Sequence, residues 1–93
     1  AVEELIKGIA KEEGVNNIRA NSIAIGVIET GIFSRLKAQG VFDESWIEGV
    51  KGALPLKRFG QPDEVAQMAV FLASNRAAYT TGQLIPVDGG FGI

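Results

Sequence analysis

The sequence predicts an α/β fold: part of a doubly wound parallel sheet, incomplete over the residues present. Three observations carry this. Residues 1–14 repeat apolar groups at helical spacing. Two short apolar segments, within 18–30 and 82–88, read as strands. The long stretch between them is mostly helical in pattern, and two strands joined in this way pair parallel with a right-handed crossover. A sheet of only two parallel strands does not make a stable domain, so the pattern belongs to a larger sheet.

The first helix follows from Val2, Leu5, Ile6, Ile9 and Ala10 on one face, with Glu3, Glu4, Lys7, Lys11 and Glu12 opposite. Gly14 is placed to end it in the left-handed conformation. Gly8 sits in the helix interior, where it is either neutral or marks the close approach of another backbone. The first strand starts at Ile18 and passes into a polar loop ending at Thr30. Ile18, Ala20, Ser22 and Ala24 alternate with Arg19, Asn21, Ile23 and Ile25. Neither face is cleanly polar, which fits a strand covered on both sides.

Residues 31–57 read as a lid of two short helices, Ile32–Ala38 and Asp43–Ala53, with Phe33, Leu36, Phe42 and Trp46 as its large apolar groups. Asp43 or Glu44-Ser45 opens the second helix and Pro55 stops it. Such a segment beyond a strand end forms either a small-molecule lid or an apolar cluster that holds a long connection in place. Pro62 then begins a helix over 62–74, with Asp63 and Glu64 in its positive first turn. Val65, Ala66, Met68, Ala69, Val70, Phe71, Leu72 and Ala73 make that helix apolar nearly all round, so it needs cover on more than one side. The second strand is Gln83–Asp88, and Pro86 marks it as an edge.

Composition narrows the function classes. The 93 residues are 46% hydrophobic and carry a net charge of −2, which disfavours nucleic acid or an anionic membrane as partner. The absence of cysteine and histidine removes disulfides, thiolate zinc sites, histidine-based triads and most transition-metal sites. No apolar run approaches the roughly 20 residues of a membrane span. No signal peptide opens the chain, and a cytoplasmic location is expected. The chain opens on Ala1 within a helical pattern rather than on Met, from which an N-terminal cut is expected.

From end to end the sequence resembles the C-terminal part of a short-chain dehydrogenase/reductase. The resemblance is carried by Ala1-Val2, Leu5, Ala10 and Glu12, then by Ile18-Arg19, Asn21, Gly26 and Thr30. It continues through Leu56, Arg58, Gly60, Pro62, Glu64-Val65-Ala66 and Phe71-Leu72-Ala73-Ser74. It closes with Thr81-Gly82-Gln83 and Val87-Asp88-Gly89-Gly90. It implies a Rossmann-type oxidoreductase using NAD or NADP on a small carbonyl or alcohol substrate. The two strands would be the last two of the sheet. The first helix, the apolar helix and the edge strand would make subunit contacts in a homotetramer or dimer.

The same resemblance implies that Gly26, Val27, Ile28 and Thr30 bind the cofactor. Gly26 would let backbone pass close to the nicotinamide, the Ile28 backbone would bond its carboxamide, and the Thr30 hydroxyl would bond the diphosphate or carboxamide region. Read on its own, Thr30 is a helix N-cap. Asn21 reads as a tie to backbone or neighbouring loops, and Arg58 as the partner of a carboxylate. Phe33, Leu36, Phe42 and Trp46 would line the substrate lid. Ile25 stands where the family carries proline, so the turn lacks that ring's stiffness.

No catalytic residue and no metal ligand is assigned within the chain. The family's tyrosine, lysine and serine would precede Ala1. Tyr79 is followed four residues later by Gln83, not lysine. Gly89-Gly90-Phe91-Gly92 lacks the following helix that a phosphate-binding turn needs. Two readings of different classes follow. The chain is part of an oxidoreductase completed by its own N-terminal part, and inactive alone, or it is a non-catalytic assembly module.

Overall fold

A computed structural model describes all 93 residues. The elements in order are α1 (Val2–Glu13), a 3₁₀ turn (Gly14–Asn16), β1 (Ser22–Ile25), α2 (Gly31–Ala38), α3 (Glu44–Ala53), α4 (Pro62–Ala73), a second 3₁₀ turn (Asn75–Ala77) and β2 (Leu84–Val87). The chain divides into two units. One comprises Ala1–Ala24 with Ala66–Pro86, the other Ile25–Val65 with Val87–Ile93. No helix is long and apolar enough to cross a membrane.

In the first unit, α1 buries Ala10, half-buries Ile6 and Ile9, and leaves Val2 and Leu5 exposed. Gly14 does not end α1 in the left-handed conformation, contrary to the sequence reading. It stays right-handed at φ −57°, the chain tightens into the 3₁₀ turn, and Asn17 takes the left-handed position at φ 58°. Asparagine tolerates that conformation because its short polar side chain bonds locally.

The first strand also begins later than the alternation suggests, at Ser22 rather than Ile18. The reason lies in the residues before it, whose bonds go to an irregular turn. The Ala20 amide donates to Thr81 Oγ1 at 3.1 Å, and the Gly82 amide donates to the Ala20 carbonyl at 2.7 Å. Asn21 Nδ2 donates to the Thr80 carbonyl and its Oδ1 accepts from the Gln83 amide, both at 3.0 Å. Regular pairing starts where the Ser22 amide donates to the Gln83 carbonyl at 2.9 Å. The second strand is trimmed likewise to Leu84–Val87.

Arg19 extends its guanidinium to three carbonyls, of Leu72 (2.7 Å), Ser74 (3.2 Å) and Thr80 (3.4 Å). It thereby satisfies acceptors that the end of α4 leaves open. Ser74 closes that end further, donating to the Phe71 carbonyl and accepting from the Arg76 amide. Ala77 is buried beneath the turn, whereas Val70 and Phe71 of α4 stay exposed.

In the second unit the Gly26 amide donates to the Val87 carbonyl at 3.0 Å, in the same parallel register as Ser22 with Gln83. Thr30 Oγ1 caps α2 by accepting from the Phe33 amide at 3.1 Å, and Asp43 Oδ1 caps α3 by accepting from Trp46 at 2.7 Å. The core is Ile47, Leu54 and Phe59, with Phe33, Phe42 and Val50 packed against it. At the start of α4, Glu64 Oε1 accepts from the Gln61 amide at 3.0 Å, the reach-back half of a capping box.

Candidate functional site

In open parallel sheets, ligands bind beyond the carboxyl ends of the strands. The residues beyond β1 are Gly26 to Thr30, all in the second unit. Ile28 forms an isolated parallel bridge with Gly60. The Gly60 amide donates to the Val27 carbonyl at 3.0 Å, and the Glu29 amide donates to the Gly60 carbonyl at 2.9 Å. Successive residues of extended chain present their N–H and C=O groups to opposite sides. Ile28 therefore turns its own N–H and C=O away from Gly60, and neither enters the bonds that pin the loop.

Gly26 is required by the protein's own packing. A Cβ built there would lie 2.7 Å from Asp88 Cα and 2.8 Å from Asp88 Cβ, so only glycine fits without a shift. The Asp88 segment is itself fixed, because Asp88 Oδ1 accepts from the Gly90 amide at 3.0 Å. Gly89 and Gly90 follow at φ +66° and +88°. A Cβ on Gly90 would meet Pro55 at 2.7 Å.

Val27 is exposed and Ile28 half-buried, with its Cδ1 in the space beside Gly60. Thr30 is exposed, and its oxygen serves as the α2 cap, as its local reading requires. A hydroxyl that accepts one bond keeps its own proton to donate. Cap and ligand contact are thus compatible at that residue.

The four residues that the sequence reading assigns to a lid separate into two groups. Phe33, Phe42 and Trp46 form a continuous stack: Phe33 lies 5.4 Å from Phe42, and Phe42 lies 4.9 Å from Trp46, centroid to centroid. Phe33 also meets the buried Phe59 edge-on at 5.3 Å, and Lys51 Nζ lies 5.4 Å from the Phe59 centroid. Phe33 and Phe42 thus belong to the cluster that holds the connection together, while Trp46 keeps 46% of its surface exposed. Leu36 is half-buried outside that stack.

Arg58 finds the carboxylate its sequence reading called for. Its Nη1 and Nη2 donate to Glu64 Oε1 and Oε2 at 2.7 and 2.8 Å, a bidentate pair with both side chains about half exposed. These bonds, and next the Gln61 amide, hold the Glu64 carboxyl down at about 2, below its ordinary 4.5, and the same pairing raises Arg58. A depressed carboxylate stabilises the fold above its unfolded value. That contribution is present above about pH 4.5 and is lost as pH falls toward 2.

Two further participants escaped the sequence reading. Gln61 Nε2 donates to Glu29 Oε2 at 3.2 Å, and Gly60 supplies both bridge bonds to the loop. The one available signal was the short spacing from Arg58 through Gly60 to Pro62. It marks a constrained turn but does not say which strand end the turn meets.

Known proteins resemble this chain over nearly its whole length. Residues 1–92 match the family model described as Enoyl-(Acyl carrier protein) reductase. A 3-oxoacyl-(acyl-carrier-protein) reductase of Chlamydia muridarum is 45% identical over 84 residues, covering 90% of this chain and 32% of the relative. Among solved structures, a 4-hydroxyisoleucine dehydrogenase complexed with NADH matches at TM-score 0.85 and 30% identity, over 98% of this chain and 36% of that one. YwfH, an NADPH-dependent reductase of bacilysin biosynthesis, matches at TM-score 0.82 and 32% identity, over 95% and 35%. The chain spans about a third of the length of these relatives.

The class is thus an α/β fold of the Rossmann type, with its candidate site in the loop beyond a parallel strand. The chain belongs to the short-chain dehydrogenase/reductase family.

Proposed function

We propose that the chain is the C-terminal portion of an NAD- or NADP-dependent oxidoreductase that interconverts an alcohol and a ketone or aldehyde. The observation that carries this is Ile28. The bridge to Gly60 leaves one N–H donor and one C=O acceptor of the same residue facing away from it, at the end of a parallel strand. A carboxamide offers the complementary acceptor and donor, so the residues present fit a nicotinamide. When bound, that cofactor supplies or takes up the hydride.

In this reading Ile28 fixes the carboxamide, Gly26 and Val27 offer backbone without bulk, and the Thr30 hydroxyl donates while its oxygen continues to cap α2. Phe33 and Phe42 brace the lid, and Leu36 and the exposed face of Trp46 meet an apolar or mixed substrate. The remainder of the enzyme provides the acid–base tyrosine, lysine and serine, since hydride transfer to a carbonyl needs a proton donor. The exposed apolar groups of α1 and α4, namely Val2, Leu5, Val70 and Phe71, suit subunit contacts in a homodimer or homotetramer.

The test is amide exchange at Ile28 in the complete enzyme, with and without NADH or NADPH. Exchange at Ile28 is expected to slow about tenfold or more on binding, whereas the Glu29 amide is already engaged. Thr30→Val should raise the coenzyme KM about tenfold, and Thr30→Ser should not. An Ile28 amide indifferent to saturating amounts of either nucleotide would sink the enzyme reading and leave the assembly module.

A further inference from the structure

We propose that Arg58, Glu64 and Gln61 are positioning residues for the Gly26–Thr30 loop, holding Gly60 against Ile28 so that the Ile28 N–H and C=O keep one orientation. The inference rests on the nicotinamide reading of that loop. The connection begins at Arg58, whose guanidinium bridges both oxygens of Glu64 and also donates from Nη1 to the Phe59 carbonyl at 3.2 Å. Glu64 in turn accepts from the Gln61 amide. Gln61 reaches across to Glu29, the residue after Ile28. Gly60 lies inside this ring of bonds and makes the two backbone bonds to Val27 and Glu29.

Every link lies within one unit, and the arrangement is over-determined at Phe59–Gln61 yet sparse at the loop itself. Ile25 imposes no ring constraint on the entry to the loop, and Gly26 imposes none of its own. The loop's orientation therefore comes from Gly60 on one side and from the contact of Gly26 with Asp88 on the other. Buried Phe59 anchors the Gly60 side, since it belongs to the Ile47–Leu54–Phe59 core. The charged pair adds direction to that anchor. A bidentate guanidinium–carboxylate contact fixes the angle between its two planes, which a single lysine donor does not.

The experiment uses the complete enzyme with Arg58→Met, Glu64→Ala, Gln61→Ala and the conservative Arg58→Lys. Two quantities are read: amide exchange at Glu29, Gly60 and Ile47, and dissociation constants for NADH and NADPH. The Met and Ala variants at positions 58 and 64 should speed exchange at Glu29 and Gly60 about tenfold while leaving Ile47 unchanged. They should also weaken nucleotide binding about three- to tenfold, a range set by small displacements of a binding group. Gln61→Ala should affect Glu29 alone, and Arg58→Lys should recover part of both effects. Because Gln61→Ala keeps the ion pair, it remains informative if the other variants fold poorly.

Unchanged exchange at Glu29 and Gly60 overturns the proposal. So does equal acceleration at Ile47, which would make the pair a general stabiliser. If exchange responds as expected but the parent enzyme binds neither nucleotide, the ring of bonds stands and the nicotinamide reading falls.

Discussion

The two units are held together by different forces. The unit of Ile25–Val65 and Val87–Ile93 buries Ile47, Leu54 and Phe59 almost completely and packs Phe33 and Phe42 against them. The unit of Ala1–Ala24 and Ala66–Pro86 fully buries only Ala10 and Ala77 among its apolar groups. Its order comes from polar bonds, chiefly those of Arg19 and Asn21 to the carbonyls and amides of the Leu72–Gln83 stretch. Apolar burial is non-directional and tolerates adjustment, whereas a guanidinium shared among three carbonyls depends on geometry and on every partner being present. The contrast teaches where the candidate site is self-supporting: the unit that holds the Gly26–Thr30 loop, α2 and α3 carries its own core, while α1 and the later turns of α4 keep exposed apolar faces.

The largest effect on this contrast is expected at Phe59. It is 2% exposed, touches Phe33 edge-on and carries Lys51 over its face. Phe59→Ala should cost about 3–5 kcal/mol, the usual range for deleting a buried phenyl ring. Denaturant titration followed by Trp46 fluorescence measures it, because Trp46 ends the same aromatic stack. A loss well under 1 kcal/mol would mean that the ring stack, not Phe59, supports the unit.

A second, smaller effect belongs to the other unit. Arg19→Met keeps much of the aliphatic stem and removes the donors, leaving the Leu72, Ser74 and Thr80 carbonyls without that partner. The expected loss is about 1–3 kcal/mol, the range for a hydrogen-bonded charged group. Exchange should quicken at Ser22 and Gly82, whose amides donate to Gln83 and Ala20, and stay unchanged at Ile47. Equal changes at all three would merge the two units into one cooperative body.

What the sequence disclosed divides along the same line. Local signals were legible: Asp43 and Thr30 as caps, Pro62 and Glu64 at the start of α4, and the aromatic content of α2 and α3. Each depends on residues a few positions apart. Arg58 was readable as the partner of some carboxylate, because its match lies only six residues on. The strand start was not readable, since Ile18–Asn21 alternate as a strand does and only the turn at Thr80–Gly82 diverts their bonds. The bridge from Ile28 to Gly60 was equally hidden, because no property of either residue specifies a partner that far along the chain. The close approach of Gly26 to Asp88 was hidden too, because the resemblance ties that glycine to the cofactor and nothing in the sequence points to a partner near the chain's end.

Gly8 gives the smallest effect and the sharpest test of what α1 faces. It lies in the helix interior with nothing within 4 Å of a Cβ built on it. In this chain, Gly8→Ala should therefore stabilise by about 0.5–1 kcal/mol through helix propensity alone. The same substitution in the complete, assembled enzyme that the proposed function calls for distinguishes the two readings of that glycine. Equal stabilisation there, measured by thermal unfolding, means that α1 presents Gly8 to solvent. A reversal of sign means that another helix or backbone approaches at Gly8 in the assembly, beside the exposed Leu5, because only a contact absent from the chain alone can turn an added methyl from helpful to harmful.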